Sequence, residues 1–144
     1  MLFRSDGLEV LIVHPGGPFW ARKDKGVWSI PKGEVESEEA LLQAALREFR
    51  EETGFDADGE ALDLGEVKQK SGKRVRAFAI EGDADLAAFR SNTFDMEWPP
   101  RSGNIQSFPE VDQAKWSGLG EARERLNAAQ GAFLDRLAER VSSE

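Results

Sequence analysis

Cysteine is absent and histidine occurs once, at His14, so neither a disulfide nor a thiolate-held metal is open to this chain. Any metal ion must be held by carboxylates, backbone carbonyls or that single imidazole, and oxygen ligands suit Mg2+ or Mn2+ better than structural zinc. Long apolar runs are missing too. The longest early one, residues 8–13, has Glu9 inside it and is far too short for a membrane span or a signal segment. No membrane partner and a cytoplasmic location are therefore expected. Basic residues are in deficit: 19 Lys and Arg against 27 Asp and Glu leave a net charge of -8. That argues against a broad nucleic-acid-binding surface, although bound metal ions let an acidic site hold an anionic substrate.

What is present is the composition of one soluble domain, residues 1–144, with 40% apolar and 32% charged residues and no evident repeat. A chain of this length buries about two-thirds of its unfolded surface around one core. Residues 8–13 read as a strand ended by His14-Pro15-Gly16-Gly17-Pro18, and residues 27–30 as a short strand stopped by Pro31. A long helix follows, N-capped by Ser37 and terminated by Gly54. Residues 67–70 and 73–80 flank Ser71-Gly72 as a tight hairpin. Residues 98–103, Trp-Pro-Pro-Arg-Ser-Gly, read as a long connecting loop and a candidate binding loop. A last short strand is expected at residues 114–116, and a helical turn or two over residues 119–126. Asn127 with Gln130 forms a capping box for a final helix with the apolar stripe Phe133, Leu134, Leu137 and Val141. The predicted fold is α/β (an α+β sandwich), a mixed β-sheet flanked by helices.

On an ideal helix each residue advances about 100°, which puts Leu41, Leu42, Ala45, Leu46 and Phe49 on one arc, expected to be buried. Glu48, Glu51 and Glu52 fall in an adjoining sector. Like charges at this spacing repel unless a cation or a base such as Arg47 neutralises them. Helix geometry alone leaves two readings open, a solvated acidic face and a metal site.

The spacing around these glutamates separates the readings. Residues 33–55 match Gly-x5-Glu-x7-Arg-Glu-U-x-Glu-Glu-x-Gly-U, where U is a bulky apolar residue. Gly33, Glu39, Arg47, Glu48, Glu51, Glu52 and Gly54 fill every fixed position, and Phe49 and Phe55 fill the U sites. The chain resembles the Nudix hydrolases over nearly its whole length. The resemblance implies a metal-dependent hydrolase of diphosphate linkages using Mg2+ or Mn2+, with Glu51 and Glu52 as the main metal ligands. It makes Glu48 a ligand or the base that deprotonates the attacking water, the carbonyl of Lys32 a further ligand, and Arg47 the group that orients a glutamate. Gly33 lets the chain turn before the helix, and Glu39 braces that turn. Family members often add an acid about six residues before a tryptophan near the last strand. Glu110, ahead of Trp116, fits that place, with Asp112 as the weaker candidate.

Two departures from the family pattern stand out. Only Met1-Leu2-Phe3-Arg4 precedes the turn at Asp6-Gly7, so the first strand is expected to be truncated, with a partner supplying the missing edge as one possibility. Phe49 stands where an aliphatic residue is commoner, which leaves the chemistry untouched.

The stretch Trp28-Ser29-Ile30-Pro31-Lys32-Gly33 is similar to one found in Nudix enzymes that cleave dinucleoside polyphosphates or remove pyrophosphate from RNA 5′ ends. Part of it also occurs in diphosphoinositol polyphosphate hydrolases. This favours a nucleoside polyphosphate such as diadenosine tetraphosphate, with nucleic acid confined to a capped or 5′-triphosphate RNA end, and a monomer or homodimer as the working state. Candidate substrate contacts are Trp28, Lys32, Lys70, Arg74 and Arg101. Lys68 and Arg76 extend a basic hairpin face, and Phe19, Trp20 and Trp98 are candidates for base stacking. His14 reads as structural. Two rival functions are house-cleaning of oxidised nucleoside triphosphates and a ligand-sensing module without catalysis.

Overall fold

The computed structural model describes residues 1–5, 7–30 and 41–142. The expected N-cap at Ser37 and the positions of Lys32, Gly33 and Glu39 lie outside them. Within the described residues a five-stranded sheet has the order β3-β4-β1-β2-β7, built from β1 (Leu2–Arg4), β2 (Glu9–Pro15), β3 (Ala61–Lys68), β4 (Arg74–Glu81) and β7 (Val111–Gly118). Strands β5 (Thr93–Glu97) and β6 (Ile105–Pro109) form a separate two-stranded arm. The helices are α1 (Leu41–Thr53), α2 (Leu119–Arg125) and α3 (Gly131–Ser142). None of them is long and apolar enough to cross a membrane.

Side chains alternate across a strand, and β2 uses both faces. Val10 and Ile12 join the cluster under α2 and α3 that contains Phe133, Leu134 and Leu137. Leu11 and Val13 join Phe49 of α1 with Val111 and Ala114. A strand covered on both sides reads as a continuous apolar run, which is what residues 10–13 are. The helix sandwich therefore follows from one strand's pattern, and the mixed sheet with flanking helices agrees with the expected architecture.

Several expectations are corrected. The first strand is short but occupies an interior position: β1 runs antiparallel to β2 with Phe3 opposite Val10, and parallel to β4 with Leu2 opposite Ile80. Its carbonyl groups are used, since the Ile80 amide donates to Met1 and the Gly82 amide to Phe3, each at 2.9 Å. Over Leu2–Arg4 this short strand is therefore paired on one side with β2 and on the other with β4. Residues 27–30 do not form a full strand. Ser29 exchanges both backbone bonds with Val13, while Trp28 bonds instead to Arg125 and Asn127. The stretch is thus shared between β2 and the α2–α3 connection. The loop expected at residues 98–103 is the turn of the β5–β6 arm. The apolar arc of α1 is fully buried only at Phe49; Leu41, Leu42, Ala45 and Leu46 are half-buried.

The expected capping box is half right. Asn127 Oδ1 accepts from the Ala129 amide at 3.2 Å, but Gln130 turns inward, 1% exposed. Its Oε1 accepts the Ile30 amide at 3.0 Å and its Nε2 donates to Gln69 Oε1 at 3.2 Å. A buried donor outcompetes the local cap because leaving it unpaired costs more. Replacing Gln130 with Leu strands the Ile30 amide, and urea unfolding should register a loss of about 1–3 kcal/mol.

Candidate functional site

Helix α1 ends where the sequence predicts. Gly54 has φ +78, donates its amide to the Arg50 carbonyl at 2.8 Å, and takes the left-handed conformation that stops a helix. Buried Thr53 ties the last turn by donating to the Phe49 carbonyl at 2.6 Å. The glutamates of the last two turns are thereby held on a fixed frame. Arg47 contacts Glu48 and Glu51, each at 3.2 Å. Its hydrogen bond to Glu51, followed by the charges of Glu48 and Glu51, raises its already high pKa further.

Glu110 stands at the head of β7. Its carboxyl is pushed above the ordinary carboxylate range, first by partial burial and then by the charges on Glu48 and Glu51. Acids from two separate elements therefore share one field, a donor set that suits a hard divalent cation. Among the described residues no three acidic or histidine side chains are yet close enough to form a ready cage.

The raised Glu110 pKa carries a sign. A proton held more tightly in the folded state stabilises it fully below the unfolded carboxylate pKa, and this contribution is lost as pH rises through the elevated folded value. In chelator-treated protein, Glu110→Gln should match wild type near about pH 4 and melt at a higher temperature near about pH 8. Calorimetry across that range is the check.

Beside these acids is a cavity of about 290 Å³ lined by Trp20, Trp28, Glu52, Gln69, Glu110 and Gln130, among others. Trp28 is 1% exposed, and its indole N–H donates to Asp24 at 2.7 Å. It forms the cavity wall rather than an open stacking face. Trp20, 41% exposed, stands at the mouth. Phe19 meets Trp98 of the arm edge-on at 5.4 Å.

Lys70, Arg74 and Arg101 are not among the residues lining this cavity. Lys68 does pair across the hairpin with Arg74, but the expected basic face is interrupted. Glu66 lies 3.8 Å from Arg74, and Arg76 is paired with Asp63. Arg101 sits in the arm's turn at φ 63.

His14 is buried, with Nδ1 2.8 Å from Asp112 and Nε2 donating to the Lys23 carbonyl at 2.6 Å. It pins the loop carrying Trp20 to β2 and β7, a structural task that also occupies Asp112. Sequence reasoning missed Gln69 and Gln130 as lining groups. It also missed the bond from the Gly16 amide to the Glu110 carbonyl at 2.9 Å. Only the Pro-Gly-Gly run at residues 15–17 hinted at so close a backbone approach.

Comparison with known proteins agrees with this frame. Nudix hydrolase 5 of Arabidopsis thaliana is 38% identical over 114 residues, 78% of this chain and 33% of the relative. The chain thus spans about a third of that relative's length. In fold it is similar to an Ap4A hydrolase of C. elegans, with a TM-score of 0.65 at 19% identity over 99% of this chain and 96% of that one. It is also similar to the NUDIX domain of Shewanella oneidensis NrtR, crystallised with ADP ribose, with a TM-score of 0.64 at 19% identity over 97% and 83% of the two chains. The NUDIX domain family model matches residues 1–137. That match, over nearly the whole chain, makes it a member of the Nudix family.

Proposed function

We propose that the protein hydrolyses a diphosphate linkage in a nucleoside polyphosphate, with a dinucleoside polyphosphate such as diadenosine tetraphosphate as the substrate class. The observation that carries this reading is the trio Glu48, Glu51 and Glu52 on α1 together with Glu110, the residue just before β7, whose carboxyl pKa is raised by the charges of Glu48 and Glu51 as well as by partial burial. Glu51, Glu52 and Glu110 would hold the divalent cations, with Glu48 and the Lys32 carbonyl completing the set. When bound, Mg2+ or Mn2+ supplies positive charge against the diphosphate oxygens and makes water more acidic. Arg47 keeps Glu48 and Glu51 oriented. Where Glu48 is not a ligand it would be the base that takes the proton of the attacking water, whose oxygen bonds to phosphorus as the bridging P–O bond breaks and the leaving phosphate departs with its electron pair. No covalent enzyme intermediate is needed.

The Trp28 to Gly33 stretch supports a long, highly charged substrate, acted on in the cytoplasm by a monomer or homodimer. The cavity is at the small end of ligand pockets, so it suits one end of such a molecule. Trp20 offers a stacking face for a base there. Base stacking is worth about 1–3 kcal/mol, so Trp20→Ala should raise KM for diadenosine tetraphosphate at least about five-fold with little change in kcat.

The test is a panel of dinucleoside polyphosphates, nucleoside triphosphates including oxidised dGTP, nucleotide sugars, 5′-triphosphate or capped RNA and diphosphoinositol polyphosphates, with products resolved. Preference for oxidised dGTP over the dinucleotide would replace this substrate with the house-cleaning reading. Metal-independent binding with no product from any compound would favour a sensor.

A further inference from the structure

Glu51 belongs to α1 and Glu110 to the head of β7, and one residue of backbone joins them. The Asn92 amide donates to the Glu51 carbonyl, and the Asn92 carbonyl accepts from the Glu110 amide, both at 2.8 Å. The Ser91 side chain locks the link. Its Oγ accepts from the Val111 amide at 2.9 Å and donates to the Asn92 carbonyl at 2.8 Å. The Arg90 amide adds a bond to the Thr53 carbonyl at 2.8 Å. A helix ends with four carbonyls lacking intrahelical partners, and here two of them are taken by an incoming segment that then grips β7. The approach is close, since a Cβ at Gly54 would lie 2.9 Å from the Arg90 carbonyl oxygen.

We propose that Ser91 is a positioning residue for a divalent-cation site shared between α1 and Glu110, holding the head of β7 in register with Glu51. This rests on the metal-site reading given under the proposed function. The backbone bonds around Asn92 fasten the two elements together, and the Ser91 hydroxyl selects which β7 residue stands at Asn92. Mutual repulsion of Glu48, Glu51 and Glu110 drives β7 away from α1. The hydroxyl opposes that opening. A carboxylate already in place needs less ordering when a cation binds.

Ser91→Thr and Ser91→Val have matched shapes and differ in the hydroxyl. Mn2+ binding to the full chain, measured calorimetrically without substrate, should weaken about five-fold in Ser91→Val, as loss of one such hydrogen bond predicts. Ser91→Thr should stay within about two-fold of wild type. In a Glu110→Gln background, Ser91→Val should add nothing, because the two residues act as one unit. Ser91→Ala removes the same hydroxyl if the valine variant does not fold. Unchanged Mn2+ affinity in both hydroxyl-less variants, or an equal loss in the Glu110→Gln background, overturns the proposal alone. Absence of Mn2+ binding by the wild type overturns it together with the metal-site reading.

Discussion

Glu51→Gln and Glu52→Gln should each lower kcat/KM with Mg2+ by about 10³ while leaving the fold intact, a size typical of removing one main electrostatic stabiliser from an active site. Both side chains are partly solvent-exposed on the last turns of α1. Glutamine keeps their volume and their place on the helix, so thermal unfolding should move by less than about 1 kcal/mol. What changes is charge. Glutamine cannot supply a full negative charge to a divalent cation, and Arg47, bonded to Glu51 at 3.2 Å, loses its ionic partner in one variant. Loss of turnover should therefore exceed any loss of substrate binding, and raising Mg2+ should recover only part of it. Folded variants with wild-type turnover would remove these residues from the site.

Gly16→Ala should destabilise the protein by about 3 kcal/mol and reduce activity with it. A Cβ built at Gly16 lies 1.9 Å from the Pro109 carbonyl oxygen and 2.9 Å from its carbon. Backbone atoms cannot swing aside as a flexible side chain can. Relief requires β2 and the β6–β7 junction to separate, breaking the 2.9 Å bond from the Gly16 amide to the Glu110 carbonyl. The register of β2 on β7 already shifts at His14 and Pro15, so the site has no slack there. Gly120→Ala is the control: its Cβ meets nothing within 4 Å, and alanine in helix α2 is neutral or stabilising. Denaturant unfolding of the two variants separates steric conflict from a general intolerance of glycine replacement.

The glutamate helix α1 was legible because its information is local. Seven fixed positions of the box announce it, Gly54 marks its end, and Arg47 reaches its partners within one turn. The Ser71-Gly72 hairpin and the stripe Phe133, Leu134 and Leu137 are local in the same way. The misread features depend on long-range competition. Gln130 has the spacing of a capping residue, yet the Ile30 amide captures it. β1 is only three residues long, too short for a periodic signal, and its place is set by hydrogen bonds to β2 and β4. The arm hid behind the prolines of its own turn, although half-buried Phe94 and Met96 alternate with exposed Thr93, Asp95 and Glu97. The Asn92 link is made of main-chain bonds, which no pattern of side chains announces.

The proposed role of these glutamates is to support metal-dependent attack of water on a diphosphate. Its most direct test is turnover of diadenosine tetraphosphate in 18O-enriched water with Mg2+ or Mn2+, with products separated and weighed by mass spectrometry. One 18O atom is expected in a phosphate-bearing product per cleavage, with no reaction in chelator and turnover lowered about 10³-fold in Glu52→Gln. Cleavage that proceeds unchanged in chelator, or in folded Glu52→Gln protein, would contradict it.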